Sequence, residues 1–182
     1  MRFLLALCLM SFMMVSCKSS KSTATSAEIE ALGTLVEAQK FIIESEWAYP
    51  QATNAMSQVL NSGLLPPGSN SGAINLIGNA NFLKISGDSI YSYLPYFGER
   101  QMQVAYGGMD SAIEFKGVME NYTATKNEDN SYTILCEAKS NSENFNVMIR
   151  LYPNLKSELN LRGASRFQIQ YSGEVEAISE MK

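Results

Sequence analysis

Between Asn144 and Tyr152 the apolar residues Phe145, Val147, Ile149 and Leu151 alternate with Asn146, Met148, Arg150 and Tyr152. Successive side chains of a β-strand point to opposite faces, so a strict period of two puts one face in a core and leaves the other in water. A helix would scatter the same residues around its circumference. The pattern recurs: YTILCEAK sets Tyr132, Ile134, Cys136 and Ala138 on one side, ELNLR sets Leu159 with Leu161, and RFQIQY sets Phe167, Ile169 and Tyr171 together. NEDNS at 127 to 131, SNSEN at 140 to 144 and RGAS at 162 to 165 carry the residue types that close tight turns. One wet face per strand argues for antiparallel pairing, because parallel strands are buried on both sides.

The rest of the chain extends this frame. SAEIEALGTLVEAQ predicts an amphipathic helix, with Ser26 as N-cap and Ile29, Leu32, Leu35 and Val36 at helical spacing. KFIIESEW then switches to period two, with Phe41, Ile43, Ser45 and Trp47 on one side, and Pro50 ends that strand. Residues 51 to 73, with Pro66, Pro67 and GSNSG, read as a long connection or a short helix followed by a loop. Further short strands follow in INLI, NFLKI, SIYSYL, AIEFKG and ENYTATK, with a turn at Gly87-Asp88. Eight to ten strands of this kind predict a single, mainly β domain over residues 28–182. It would be an antiparallel sandwich or barrel-like fold with an N-terminal amphipathic helix packed against it.

The first residues belong to export. Arg2 precedes an apolar or small run from Phe3 to Val15, too short for a permanent span, which needs roughly 20 residues. Met14, Val15 and Ser16 before Cys17 resemble the lipobox of bacterial lipoproteins. Residues 1–16 are therefore expected to be a signal peptide and Cys17 the lipidated N-terminus, whose acyl chains, palmitate among them, hold the protein on a membrane. Residues 17–27, rich in Ser and Thr, read as a flexible tether. No acidic residues follow the cysteine closely, which favours a periplasm-facing outer-membrane anchor over surface display.

Composition then removes whole classes of function. The chain has no histidine, so neither a Ser-His-Asp nor a Cys-His relay can form, and imidazole metal sites are absent. Of three cysteines, Cys8 leaves with the signal and Cys17 takes lipid, so Cys136 stands alone on the apolar side of its strand as a small buried residue. Phosphate-cradling and dinucleotide motifs are missing. Neither a metal nor an organic cofactor is expected. The net charge is −4, and without a basic block a nucleic-acid partner is disfavoured.

The densest aromatic stretch is YSYLPYFGER, residues 91–100. Tyr91, Tyr93, Tyr96, Phe97 and, beyond it, Tyr106 are candidate ligand contacts that could stack on a sugar face or close an apolar cavity; the same rings could instead plug the end of a barrel. Asp88, Glu99, Asp110 and Glu114 surround them. A pair of carboxylates about 5 to 9.5 Å apart could hydrolyse a glycosidic bond, although Asp88 and Asp110 also suit turns that bond their own backbone. No residue is assigned a catalytic role. Asp-Ser-Ile at 88–90 and Asp-Ser-Ala at 110–112 resemble the O-glycosylation sequon of exported Bacteroidetes proteins, which would place glycan on Ser89 or Ser111.

GDSIYSYLPYFGERQMQVAYGGMDSAIEFKG, with FIIESEWAYP upstream and SYTILCEAK and RFQIQYSGEV downstream, resembles the uncharacterised Bacteroidetes lipoprotein family known as domain of unknown function 4251. The resemblance spans roughly residues 30 to 176. This chain departs from the pattern at NAMSQVLNSGLLPPGSNSG, which looks like an insertion. The resemblance implies an exported, lipid-anchored antiparallel domain and supplies no activity and no catalytic residues. Together with the residues above, it leads to the expectation of a non-enzymatic envelope module binding a small apolar or glycan ligand or an envelope partner. A carboxylate-dependent glycan hydrolase and a purely structural assembly factor are the alternatives.

Overall fold

The computed structural model describes residues 24–51, 53–54, 57–58, 65–70, 72–99, 112–140 and 143–178. It opens with α1 (Ser26–Ala38) and continues with β1 (Lys40–Pro50), β2 (Ile74–Asn75), β3 (Phe82–Ser86), β4 (Ser89–Pro95) and β5 (Ala112–Val118). Then come β6 (Glu120–Lys126), β7 (Tyr132–Lys139), β8 (Asn144–Leu151), β9 (Lys156–Gly163) and β10 (Ile169–Ala177). All the pairings are antiparallel, in the order β5-β4-β3-β1-β10-β9-β8-β7-β6, with β2 added beside β1. The terminal strands β5 and β6 are consecutive in sequence, separated only by Met119. Chain continuity thus ties the two sheet edges together, and β5 also packs against β7. The fold is barrel-like, a sheet nearly closed on itself.

The inward residues form one contiguous core. The expected faces of β7, β8 and β9 are the buried ones: Ile134, Cys136 and Ala138; Phe145, Val147, Ile149 and Leu151; Leu159 and Leu161. Phe115 from β5 meets Phe145 from β8 at 5.5 Å between ring centroids, so the two sides of the sheet touch through the interior. Burial pushes the Cys136 thiol up to about 11, which keeps it a neutral, inert core residue.

Two local expectations are corrected. Thr25, not Ser26, caps α1: the Thr25 hydroxyl accepts from the Glu28 N–H at 3.3 Å while the Glu28 carboxylate accepts from the Thr25 N–H at 2.7 Å. That reciprocal box needs Glu at the third helical position, and only a cap at Thr25 puts Glu28 there. Trp47 does not continue the buried face of β1. A bulge between Ser45 and Trp47 shifts the register, so Ala48 takes the inward position after Phe41, Ile43 and Ser45.

The bulge has two supports. Asn81, itself buried, accepts from the Ser45 N–H and donates to the Ser45 carbonyl, both at 2.9 Å, satisfying backbone groups that the broken ladder leaves free. On the other side Gly173 lies opposite Ser45, where a Cβ would sit 1.9 Å from the Glu44 carbonyl oxygen. Further along, Asn54, Ser57 and Gln58 are helical, and the Ser57 N–H donates to the Thr53 carbonyl at 3.0 Å, in keeping with a short helix after β1. At its other end α1 finishes at Gln39 in the left-handed conformation, φ 49°. The Gln39 carbonyl accepts from the Gly87 N–H at 2.9 Å, fastening the helix to the β3–β4 turn. Leu32 and Val36 reach the core. The barrel therefore has a lower rim at α1 and the β3–β4 turn, and an upper rim at the ends of β1, β4 and β9.

Candidate functional site

The described aromatic candidates lie in two places. Ile90, Ser92 and Leu94 are the inward residues of β4, so Tyr91 and Tyr93 stand on its outer face. Tyr91 lies between Lys84 and Lys116 in register, with the Lys116 ammonium 5.6 Å from its ring centroid. Tyr93, 43 % exposed, faces Phe82 on one side and Glu114 on the other. Tyr96 and Phe97 are instead half-buried against the core at the upper rim. Tyr106 lies outside the described residues, as do Asp110 and Ser111.

At that rim the chain is stitched shut. The Tyr96 hydroxyl is shared between the carbonyls of Glu99 at 2.8 Å and Phe167 at 3.0 Å. The Phe167 N–H donates to the Glu99 carbonyl at 3.2 Å, and the buried Tyr171 hydroxyl donates to the Pro95 carbonyl at 2.8 Å. Burial, with the Tyr96 hydroxyl nearby, raises the Tyr171 phenol above its ordinary range, so it remains a donor at any physiological pH.

The same rim holds a buried ion pair that the sequence reading did not single out. Glu143 and Arg166, with side chains 4 % and 6 % exposed, meet at 2.9 Å. The other Glu143 oxygen accepts from the Ser165 N–H at 2.8 Å, and Arg166 also donates to the Ala112 carbonyl at 3.1 Å. The guanidinium carbon lies 5.1 Å from the Tyr96 ring centroid and 6.0 Å from that of Phe145. Both charges are thus paired and hydrogen-bonded, the condition for a buried pair to be tolerated. Gly163 makes room, since a Cβ there would lie 2.2 Å from the Glu143 carboxylate. Glu143 sits in SNSEN, which reads as a turn, and Arg166 opens RFQIQY, which reads as a strand; pairing of the start of β8 with the end of β9 brings them together.

Nor do the described candidate carboxylates, Asp88, Glu99 and Glu114, come together. Asp88 lies in the β3–β4 turn, where it accepts from the Ser89 hydroxyl at 3.1 Å, whereas Glu99 follows β4 at the opposite rim and accepts from the Thr53 hydroxyl. The seven residues of β4 between them span about 20 Å, beyond the roughly 5 to 9.5 Å of a glycosidase pair. Glu114 projects outward beside Tyr93. Among the described residues no group of three or more Cys, Asp or Glu could hold a metal ion.

A concave surface lies on the opposite wall, over the wet face of β6 to β9. A trough of about 450 Å³ is lined by Thr123, Leu135, Glu137, Asn146, Met148 and Asn160, among others, and by Arg162 and Gln168. It adjoins a more polar space of about 570 Å³ at the upper rim, and Asn146, Arg162 and Gln168 line both. The ladder explains the lining. Thr123, Leu135, Met148 and Asn160 are successive cross-strand neighbours, as are Glu137, Asn146 and Arg162. Leu135 and Met148, 47 % and 39 % exposed, form an apolar floor, and amides flank it. The Gln168 amide donates to Asn160 at 3.0 Å and the Asn121 amide donates to Glu137 at 3.0 Å. These residues escaped the sequence reading because alternation marks them only as the wet half of each strand.

A family model described as "Domain of unknown function (DUF4251)" matches residues 23–175. The chain belongs to the DUF4251 family. Among solved structures it is similar to a DUF4251 family protein from Bacteroides eggerthii DSM 20697, at a TM-score of 0.56 and 9 % identity, covering 85 % of this chain and 90 % of that one. At that identity the likeness concerns the fold. A search of curated proteins finds no match. The DUF4251 domain thus comes without a borrowed site, and its surface chemistry carries the functional reading. No helix among the described residues is long and apolar enough to cross a membrane.

Proposed function

We propose that this DUF4251 chain is a lipid-anchored envelope module that binds a glycan in the trough on β6 to β9 and does no chemistry on it. Cys17 is the anchor, residues 17–27 the tether, and the periplasmic side of the outer membrane the location. The observation that carries the binding reading is the composition of the trough: an apolar floor of Leu135 and Met148 beside the amides of Asn146, Asn160 and Gln168. Planar amides offer donor and acceptor together, as sugar hydroxyls require, while the apolar floor suits the C–H face of a ring. A glycan is favoured over a small apolar ligand because the inward side chains already fill the barrel as one core.

The test is a glycan array probed with the full chain and with its Asn146→Ala/Asn160→Ala variant. Binding to at least one oligosaccharide class, reduced tenfold or more in the variant, is expected. An array without signal, or signal indifferent to the variant, overturns the reading. O-glycosylation is proposed for Ser89, the half-buried first residue of β4 directly after the exposed turn residue Asp88; an intact mass equal to the unmodified polypeptide plus lipid would refute it.

A further inference from the structure

We propose that the trough selects an acidic oligosaccharide whose carboxylate pairs with Arg162. This rests on the trough being the binding surface and adds the class of ligand. Arg162 lies where the trough and the rim space join and lines both. It forms no ion pair or hydrogen bond among the described residues. The other described cation lining the rim space, Arg166, is occupied by Glu143 and the Ala112 carbonyl. Among the described residues of the rim, Arg162 therefore offers the guanidinium fork left for an incoming group, and that planar fork matches a carboxylate bidentately.

The surrounding charges set the polarity of the bound chain. Glu137 is the carboxylate of the trough, held by the Asn121 amide and separated from Arg162 by Asn146 on the intervening strand. Two strand spacings put about 10 Å between their backbones, so the ligand's carboxylate belongs at the β9 side and its neutral hydroxyls toward β7. From β6 to β9 the trough crosses three spacings, about 14 Å, room for an extended oligosaccharide. Asn160 and Gln168 bond each other beside Arg162, which pre-positions their remaining donors and acceptors next to the charged group.

The experiment measures binding of uronic-acid oligomers, from galacturonate and mannuronate series, and of their fully methyl-esterified counterparts, to the full chain by calorimetry. At least one acid is expected to bind, its ester roughly tenfold more weakly, with affinity falling as salt rises. Arg162→Gln should cost about tenfold for the acid and little for the ester, and Arg162→Lys, which keeps charge but not the fork, should fall between; thermal melts verify that each variant is folded. Equal binding of acid and ester, both lost in Asn146→Ala, would overturn the carboxylate contact while leaving the trough as a glycan site. Failure of every oligomer to bind, or capture of an acidic hexapeptide in their place, would overturn the inference, and silence on the glycan array as well would remove the trough reading with it.

Discussion

Glu143 illustrates how a single side chain can hold a rim together. Its two oxygens satisfy Arg166 and the Ser165 N–H inside a space that Gly163 leaves open. Removing it strands a buried guanidinium, so Glu143→Ala should cost about 3 to 5 kcal/mol in denaturant unfolding, the range for breaking a buried pair from one side. A loss below about 1 kcal/mol would mean the pair is solvated in solution. Cys136 gives a second prediction. Its thiol titrates near 9 when unfolded and near 11 when buried, so the folded form holds its proton where the unfolded form loses it. Stability from this group is complete below pH 9 and declines as pH rises toward 11. Cys136→Ala should flatten that part of the pH–stability curve. In the folded protein iodoacetamide at pH 8 should leave the Cys136 peptide unmodified by mass spectrometry, and rapid labelling would contradict its burial.

At the scale of elements, the bulge in β1 is the feature on which the register depends. Asn81 supplies both hydrogen bonds that the ladder omits, and Gly173 lets the Glu44 carbonyl approach. Asn81→Ala should destabilise by about 2 to 4 kcal/mol because two backbone groups lose their partners in a buried site. Gly173→Ala should cost about 1 to 3 kcal/mol through overpacking. Equilibrium unfolding of the two single variants measures both; a neutral Gly173→Ala would show that β1 can relax away from β10. The bulge also marks where sequence reading stops. Phe41, Ile43 and Ser45 alternate legibly, but nothing local announces the extra residue that turns Trp47 aside, since its cause lies in Asn81 and Gly173, far along the chain. The strands β7, β8 and β9 were fully legible because their wet and dry faces never break period.

At the scale of the molecule, the fold class followed from that alternation, whereas barrel closure did not, because it depends on β5 and β6 being joined through Met119 across the two edges. The candidate site was the least legible part. Aromatic density drew attention to Tyr91, Tyr93, Tyr96 and Phe97, yet β4 turns two of those rings outward and the rim absorbs the other two. The trough is assembled from Asn146, Asn160, Arg162 and Gln168, polar residues that any half-buried strand or its loop could carry. It becomes visible only when four strands are set side by side. Anchoring is a separate whole-molecule prediction: Cys17→Ala should shift the protein from the membrane fraction to the soluble envelope fraction, and unchanged membrane association would refute the lipid anchor.

The sharpest test sets the two walls of the barrel against each other. Binding of an array-selected oligosaccharide is measured by calorimetry for the full chain, for Asn146→Ala/Asn160→Ala on β8 and β9, and for Tyr91→Ala/Tyr93→Ala on β4. A trough site requires the amide variant to lose at least tenfold in affinity while the tyrosine variant stays within twofold of the parent. Loss in the tyrosine variant with the amide variant unaffected would contradict it and return the site to the aromatic strand.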